Sequence, residues 1–135
     1  MKNNLNILTF GYGNRKNYSE LEQYFQEYNI KYLIDVRKTP RAWSRKWYGK
    51  QLSEFCKSQG IQYISKPCLG NISGNQHWIS PDSNQATTDL LEISQLAKSQ
   101  PVLLLCAEMD WHKCHRVEVA EKLGEMTNLA IGHLT

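Results

Sequence analysis

Val102-Leu103-Leu104-Leu105-Cys106 runs directly into Ala107-Glu108-Met109-Asp110-Trp111-His112-Lys113-Cys114-His115-Arg116. An apolar pentad with no polar alternation describes a strand covered on both faces, as in parallel sheets sandwiched between helices. The polar stretch behind it predicts a loop at the strand's C-terminal end. A helix is then expected from about Trp111 to Met126, with Asp110 as N-cap and Val119, Ala120, Leu123 and Met126 facing inward. Parallel neighbours require crossover connections, so strands alternating with helices are expected on both sides of this segment.

Working outward, Leu90, Leu91 and Ala97 predict the inner face of a helix over 84–98, preceded by a long polar loop from Lys66 to Ser83. Ile61 to Ser65 reads as a strand. Tyr48, Leu52, Phe55 and Cys56 mark a helix closed by Gly60, and Lys31 to Val36 a further strand. Leu21, Tyr24, Phe25 and Tyr28 recur at helical spacing, with Ser19 and Glu22 in capping-box positions. Leu5 to Phe10, closed by Gly11-Tyr12-Gly13-Asn14, is the first strand, and Leu129 to Leu134 the last. Five strands separated by four helices predict an α/β fold: a Rossmann-like three-layer sandwich, its five-stranded, mostly parallel sheet covered by helices on both faces, in one domain over residues 1–135. Right-handed crossovers place the strand C-termini on one edge, where a ligand crevice opens at the reversal of strand order. Polar, glycine-rich turns after strands one, two and four predict that these three are neighbours, in the order 3-2-1-4-5.

Composition sets the class. In 135 residues, 41% are apolar and 21% charged, the profile of a soluble globular protein. No run approaches the ~20 apolar residues of a membrane span. The start, Met-Lys-Asn-Asn-Leu-Asn, lacks a signal peptide's apolar core, which points to the cytoplasm. The four cysteines show no C-x-x-C spacing, so reduced thiols are expected. A net charge of +3 neither demands nor excludes nucleic acid, and the sequence leaves the oligomeric state unknown.

Charge placement says more. The five arginines, Arg15, Arg37, Arg41, Arg45 and Arg116, each follow a predicted strand end, whereas the lysines are scattered. Guanidinium forks fit phosphate or carboxylate in two-point contacts. Their confinement to one edge reads as an anion site, with Asp35 as a hydroxyl or arginine partner. The bland alternative is that some of them pair with Asp35 or Glu108 and hold loops together.

The cysteine-histidine segment leaves three readings open. In one, Cys106 or Cys114 is a nucleophile, with Glu108 or His115 as general acid or base. In another, the thiols only pack, while Glu108 and Arg116 orient a ligand. The third is metal binding, but the eight-residue separation of the cysteines matches no common zinc pattern, so no metal and no cofactor are expected. A phosphatase-type loop is excluded, because Arg116 follows Cys106 by ten positions and Cys114 by two rather than six.

The paired segments Cys106-Ala107-Glu108 and Cys114-His115-Arg116 resemble the hallmark of domain-of-unknown-function family 488. Thr9-Phe10-Gly11, Asp35-Val36-Arg37, Pro40, Ser44-Arg45, Leu69-Gly70 and Ile131-Gly132-His133 extend the resemblance over nearly the whole chain. Tyr12-Gly13 stands where members often carry histidine and serine, and Trp111 where they often carry proline. The resemblance implies membership and carries no established activity.

Arg41-Ala42-Trp43-Ser44-Arg45-Lys46-Trp47-Tyr48-Gly49-Lys50 interleaves cations and aromatic rings. This suits a platform for single-stranded nucleic acid, or a lid packing its rings over the pocket or against the second helix. A nucleobase in a small pocket satisfies both. His77 and His112 read as solvated, and His133 as either a pocket residue or a structural one. The leading expectation is an enzyme, a hydrolase or transferase, acting on a small anionic ligand that is nucleotide-like or otherwise phosphate-bearing. Gly11, Arg15, Asp35, Arg37, Arg45 and Arg116 would then bind, and Glu108, Cys106, Cys114 and His115 would act. The alternative is a non-catalytic nucleic-acid-binding module using the same arginines. Neither involves a membrane.

Overall fold

The computed structural model describes residues 5–13 and 15–135. Residues 1–4 and Asn14, which ends the turn expected after the first strand, lie outside them. The elements are β1 (Ile7–Gly11), α1 (Ser19–Glu27), β2 (Tyr32–Asp35), α2 (Gly49–Ser58), β3 (Gln62–Ser65), α3 (Ser83–Ser99), β4 (Val102–Cys106), α4 (Arg116–Thr127) and β5 (Ile131–His133). Single 3-10 turns at Arg45–Trp47, Pro67–Leu69 and Trp111–Lys113 punctuate the loops.

The sheet is wholly parallel, in the order β3-β2-β4-β1-β5. Strands one, two and four are contiguous as expected, but β4 and β1 stand in exchanged places. β4 is the central strand of the five, and β1, buried to the same extent, stands beside it. A strand buried from Val102 to Leu105 belongs between two others, and β4 pairs with β2 on one side and β1 on the other. Register brings Gly11 opposite Cys106, and Asp35 one residue lower opposite Leu105, so all three positions lie near the C-terminal edge.

Strand pleating divides the core into two layers. Leu8, Phe10, Leu33, Leu103 and Leu105 pack with Leu21, Phe25, Leu52 and Cys56 of α1 and α2. Ile7, Ile34, Val102 and Leu104 pack with Leu90, Ile93 and Ala97 of α3 and Val119, Ala120 and Leu123 of α4. The loops after β1 and β4 therefore leave toward opposite faces of adjacent strands, which opens the crevice between them. Among the described residues, no helix is long and apolar enough to cross a membrane.

Four local expectations are corrected. Leu91 and Met126 are exposed, because the buried stripes run through Leu90, Ile93 and Ala97 and through Val119, Ala120 and Leu123. Ser19 forms no capping box: Tyr18 is the N-cap, and the Ser19 backbone N–H donates to Asn17 Oδ1 at 2.9 Å. The last helix begins at Arg116 rather than Trp111. Asp110 caps the separate 3-10 turn by accepting from the His112 N–H at 3.0 Å, and Cys114 then returns to extended backbone. Cys114 and His115 thus precede α4 instead of lying in its first two turns. Gly60 follows α2 with φ +74°, as its capping role requires.

Candidate active site

An open cleft of about 1080 Å³ lies over the C-terminal edge of the sheet. Its floor is Cys106, Ala107, Glu108, Cys114 and His115. One wall is the loop after β1 with Tyr12, Gly13, Arg15 and Lys16, and another the loop after β2 with Ala42, Trp43, Ser44 and Trp47. Met109 and Lys113 close one end. Asn71 and Asn75 reach in from the long loop. That loop is pinned rather than free: Trp78 donates from Nε1 to the Gly70 carbonyl and from its backbone to Glu118 Oε2, at 2.9 and 3.0 Å.

Backbone contacts lock the floor to β1. Gly13 N–H donates to the Ala107 carbonyl at 2.7 Å. A Cβ on Gly11 would lie 1.8 Å from the Glu108 carbonyl oxygen, so only glycine allows this approach. The Glu108 carbonyl also accepts from Arg116 Nη1 at 2.5 Å. Its carboxylate is exposed at the cleft and accepts from the Asp110 N–H at 3.0 Å.

Buried thiols and an imidazole sit together on the floor. Cys106 Sγ and Cys114 Sγ are 2.7 Å apart, and His115 Nδ1 is 3.8 Å from Cys114 Sγ. His115 Nε2 lies 3.0 Å from both the Val36 and Leu69 carbonyls. Carbonyls only accept, so Nε2 carries a proton, and in the neutral ring it is Nδ1 that offers a lone pair toward the sulfur. The Arg116 backbone N–H, at the start of α4, donates to Cys114 Sγ at 3.5 Å. Donation from Cys114 brings the Cys106 thiol down to about 7 against the opposing effect of burial, helped by the Glu108 and Ala107 amides and the Arg116 charge. Cys114 is pushed up to about 12, first by that same hydrogen bond and then by burial. Negative charge is therefore favoured on Cys106, with Cys114 as its proton donor.

The arginines divide. Arg15 lines the cleft, donating to the Gly11 carbonyl at 2.9 Å, pairing with Glu20 and lying over the Phe10 ring. Arg41 and Arg45 are exposed on the loop after β2. Arg37 is buried and engaged with Asp35 through Nε and Nη2 at 2.8 and 2.6 Å, while its Nη1 donates to the Trp47 carbonyl at 2.7 Å. Tyr63 donates to the same carboxylate at 2.5 Å. Arg116 is fully buried behind the floor, and its Nε and Nη2 have no hydrogen-bond partner among the described residues. Neither Arg37, Asp35 nor Arg116 lines the cleft.

The tryptophans divide as well. Trp47 is buried, stacks on Tyr12 at 5.0 Å and donates to the Arg15 carbonyl, which is the packing role; Trp43 is fully exposed at the cleft wall. His133 stacks on Trp111 at 4.3 Å and lies 2.7 Å from Thr9 Oγ1, outside the cleft lining. His77 and His112 are exposed, as expected. Lys16, Asn75, Met109 and Lys113 line the cleft although the sequence reading gave them no role. For Lys113 the usable signal was adjacency to Cys114.

No curated protein and no solved structure matches the chain. The family described as Domain of unknown function DUF488 matches over residues 17–123, a span that includes the whole Cys106 to Arg116 segment. The chain belongs to this family.

Proposed function

We propose that the protein is an enzyme, a hydrolase or transferase, that takes a nucleotide-like, phosphate-bearing substrate into this cleft. The observation that carries the reading is the Cys106–Cys114–His115 floor beneath a rim with two free cations, Lys16 and Lys113, against one carboxylate, Glu108, the third cation, Arg15, being paired with Glu20. An anion is drawn to such a rim, and the cleft walls reduce its screening by solvent. The exposed Trp43 ring offers a stacking face for a base, a contact worth about 1–3 kcal/mol. Glu108 is the proton carrier, at the edge of the floor where a leaving group is reached from solvent. The cytoplasm is the compartment in which such thiols stay reduced.

The test is isothermal titration of the full chain with nucleoside mono- and diphosphates. Binding is expected, with Trp43→Ala weakening it roughly 5- to 150-fold. Absence of binding at millimolar ligand would reject the reading. A second reading, a nucleic-acid-binding module, draws on the joint exposure of Arg41, Trp43 and Arg45 on one loop. It predicts oligonucleotide affinity that falls steeply with salt and a negligible affinity for mononucleotides.

A further inference from the structure

We propose that Cys106, Cys114 and His115 form a three-ligand metal site of the zinc class whose fourth coordination position opens into the cleft. The inference goes beyond the substrate reading and does not depend on it. The two Sγ atoms and an imidazole nitrogen lie within 4.8 Å of one another, and all three residues are buried. The sulfurs, 2.7 Å apart, are too far for a disulfide bond of about 2.05 Å and closer than neutral thiols pack. Separating them by about 1 Å brings both to the ~2.3 Å zinc–sulfur distance around a common centre.

The surroundings are those of a metal ligand set. His115 Nε2–H is committed to the Val36 and Leu69 carbonyls, which fixes the ring and leaves Nδ1 as donor toward Cys114. Outer-shell carbonyls orient metal-bound histidines in this way. The Arg116 amide donates to Cys114 Sγ, which stabilises sulfur as thiolate. Two thiolates and a neutral imidazole cancel the charge of a divalent ion, and the thiol protons still held, that of Cys114 first, leave to solvent as it enters. Soft sulfur with imidazole selects zinc-like ions over magnesium or calcium. Three protein ligands and one open position are the arrangement of a catalytic rather than a structural zinc centre. Cys106, Cys114 and His115 all line the cleft, so the open position faces the region where substrate is proposed to sit. Sequence spacing misses the set because an eight-residue excursion, not a short zinc loop, folds Cys114 back onto Cys106.

The experiment titrates cobalt(II) into reduced, chelator-treated full-length protein without nucleotide. One equivalent is expected to produce a sulfur-to-cobalt charge-transfer band and the intense visible bands of four-coordinate cobalt, both removed by zinc. Cys106→Ser and Cys114→Ser should each lower the affinity at least tenfold. Should those variants fail to fold, the wild-type chain still decides: zinc should protect Cys106 and Cys114 from maleimide while leaving Cys68 labelled as before. Unchanged labelling with no charge-transfer band would overturn the site. So would a Cys106–Cys114 disulfide that takes up no cobalt after reduction. Because nucleotide is absent, failure here leaves the substrate reading untouched, and loss of nucleotide binding leaves this result untouched.

Discussion

Arg37 and Arg116 each follow a central strand, and in the sequence they look alike; in the fold they behave in opposite ways. Arg37, beyond β2, has its fork closed by Asp35, its remaining arm on the Trp47 carbonyl and its plane over the Tyr12 ring. Asp35 in turn accepts from Tyr63, whose hydroxyl is pushed above its ordinary range by burial and by that carboxylate. This charge is spent on holding the loop after β2 to the sheet. Arg116, beyond β4, gives one hydrogen bond to the Glu108 carbonyl and keeps two donors free of partners among the described residues. Its positive charge biases the thiol floor instead. One strand end is closed on itself as a strut, and its neighbour lies behind the floor of the cleft with donors unspent.

The contrast predicts an order of effects. Asp35→Ala should cost most, about 3–5 kcal/mol in chemical denaturation, because it strands a buried guanidinium. A loss under about 1 kcal/mol would show that water enters and that the strut is not closed. Tyr63→Phe, which removes one hydrogen bond to the same carboxylate, should cost about 1.5–3 kcal/mol in the same assay. Gly11→Ala forces β1 away from the Glu108 carbonyl and should cost about 1–3 kcal/mol, with altered labelling of Cys106 as the sign that the floor has moved. Arg116→Met should cost least, under about 1.5 kcal/mol, because it removes a buried charge together with two unsatisfied donors. A cost equal to that of Asp35→Ala would erase the distinction between the two arginines.

How much of this was legible in the sequence follows from what each signal encodes. β4 was readable to the residue, because five apolar positions in a row describe burial on two faces. The neighbour relation of strands one, two and four was readable from their polar turns. The placing of β4 between β2 and β1 was not, since turns record which strands share an edge and not their sequence across it. Cys106, Glu108, Cys114 and His115 all line the cleft, and their nearness is legible because they crowd one segment. The pairing of Arg37 with Asp35 is not legible, because a sequence displays a charge but not its partner, here two residues away in the chain and closed on itself in space. Lys16 and Asn75 leave no signal, because a cleft wall assembled from separate loops has no periodic trace.

Amide shift mapping of the isotopically labelled chain with a nucleoside diphosphate tests the central claim most directly. The largest changes should fall on Glu108, Lys113 and the Trp43 indole, with Asp35 to Arg37 nearly unmoved. Changes centred on Asp35 to Arg37, or none at saturating ligand, would contradict the assignment of the β4 end as the working surface.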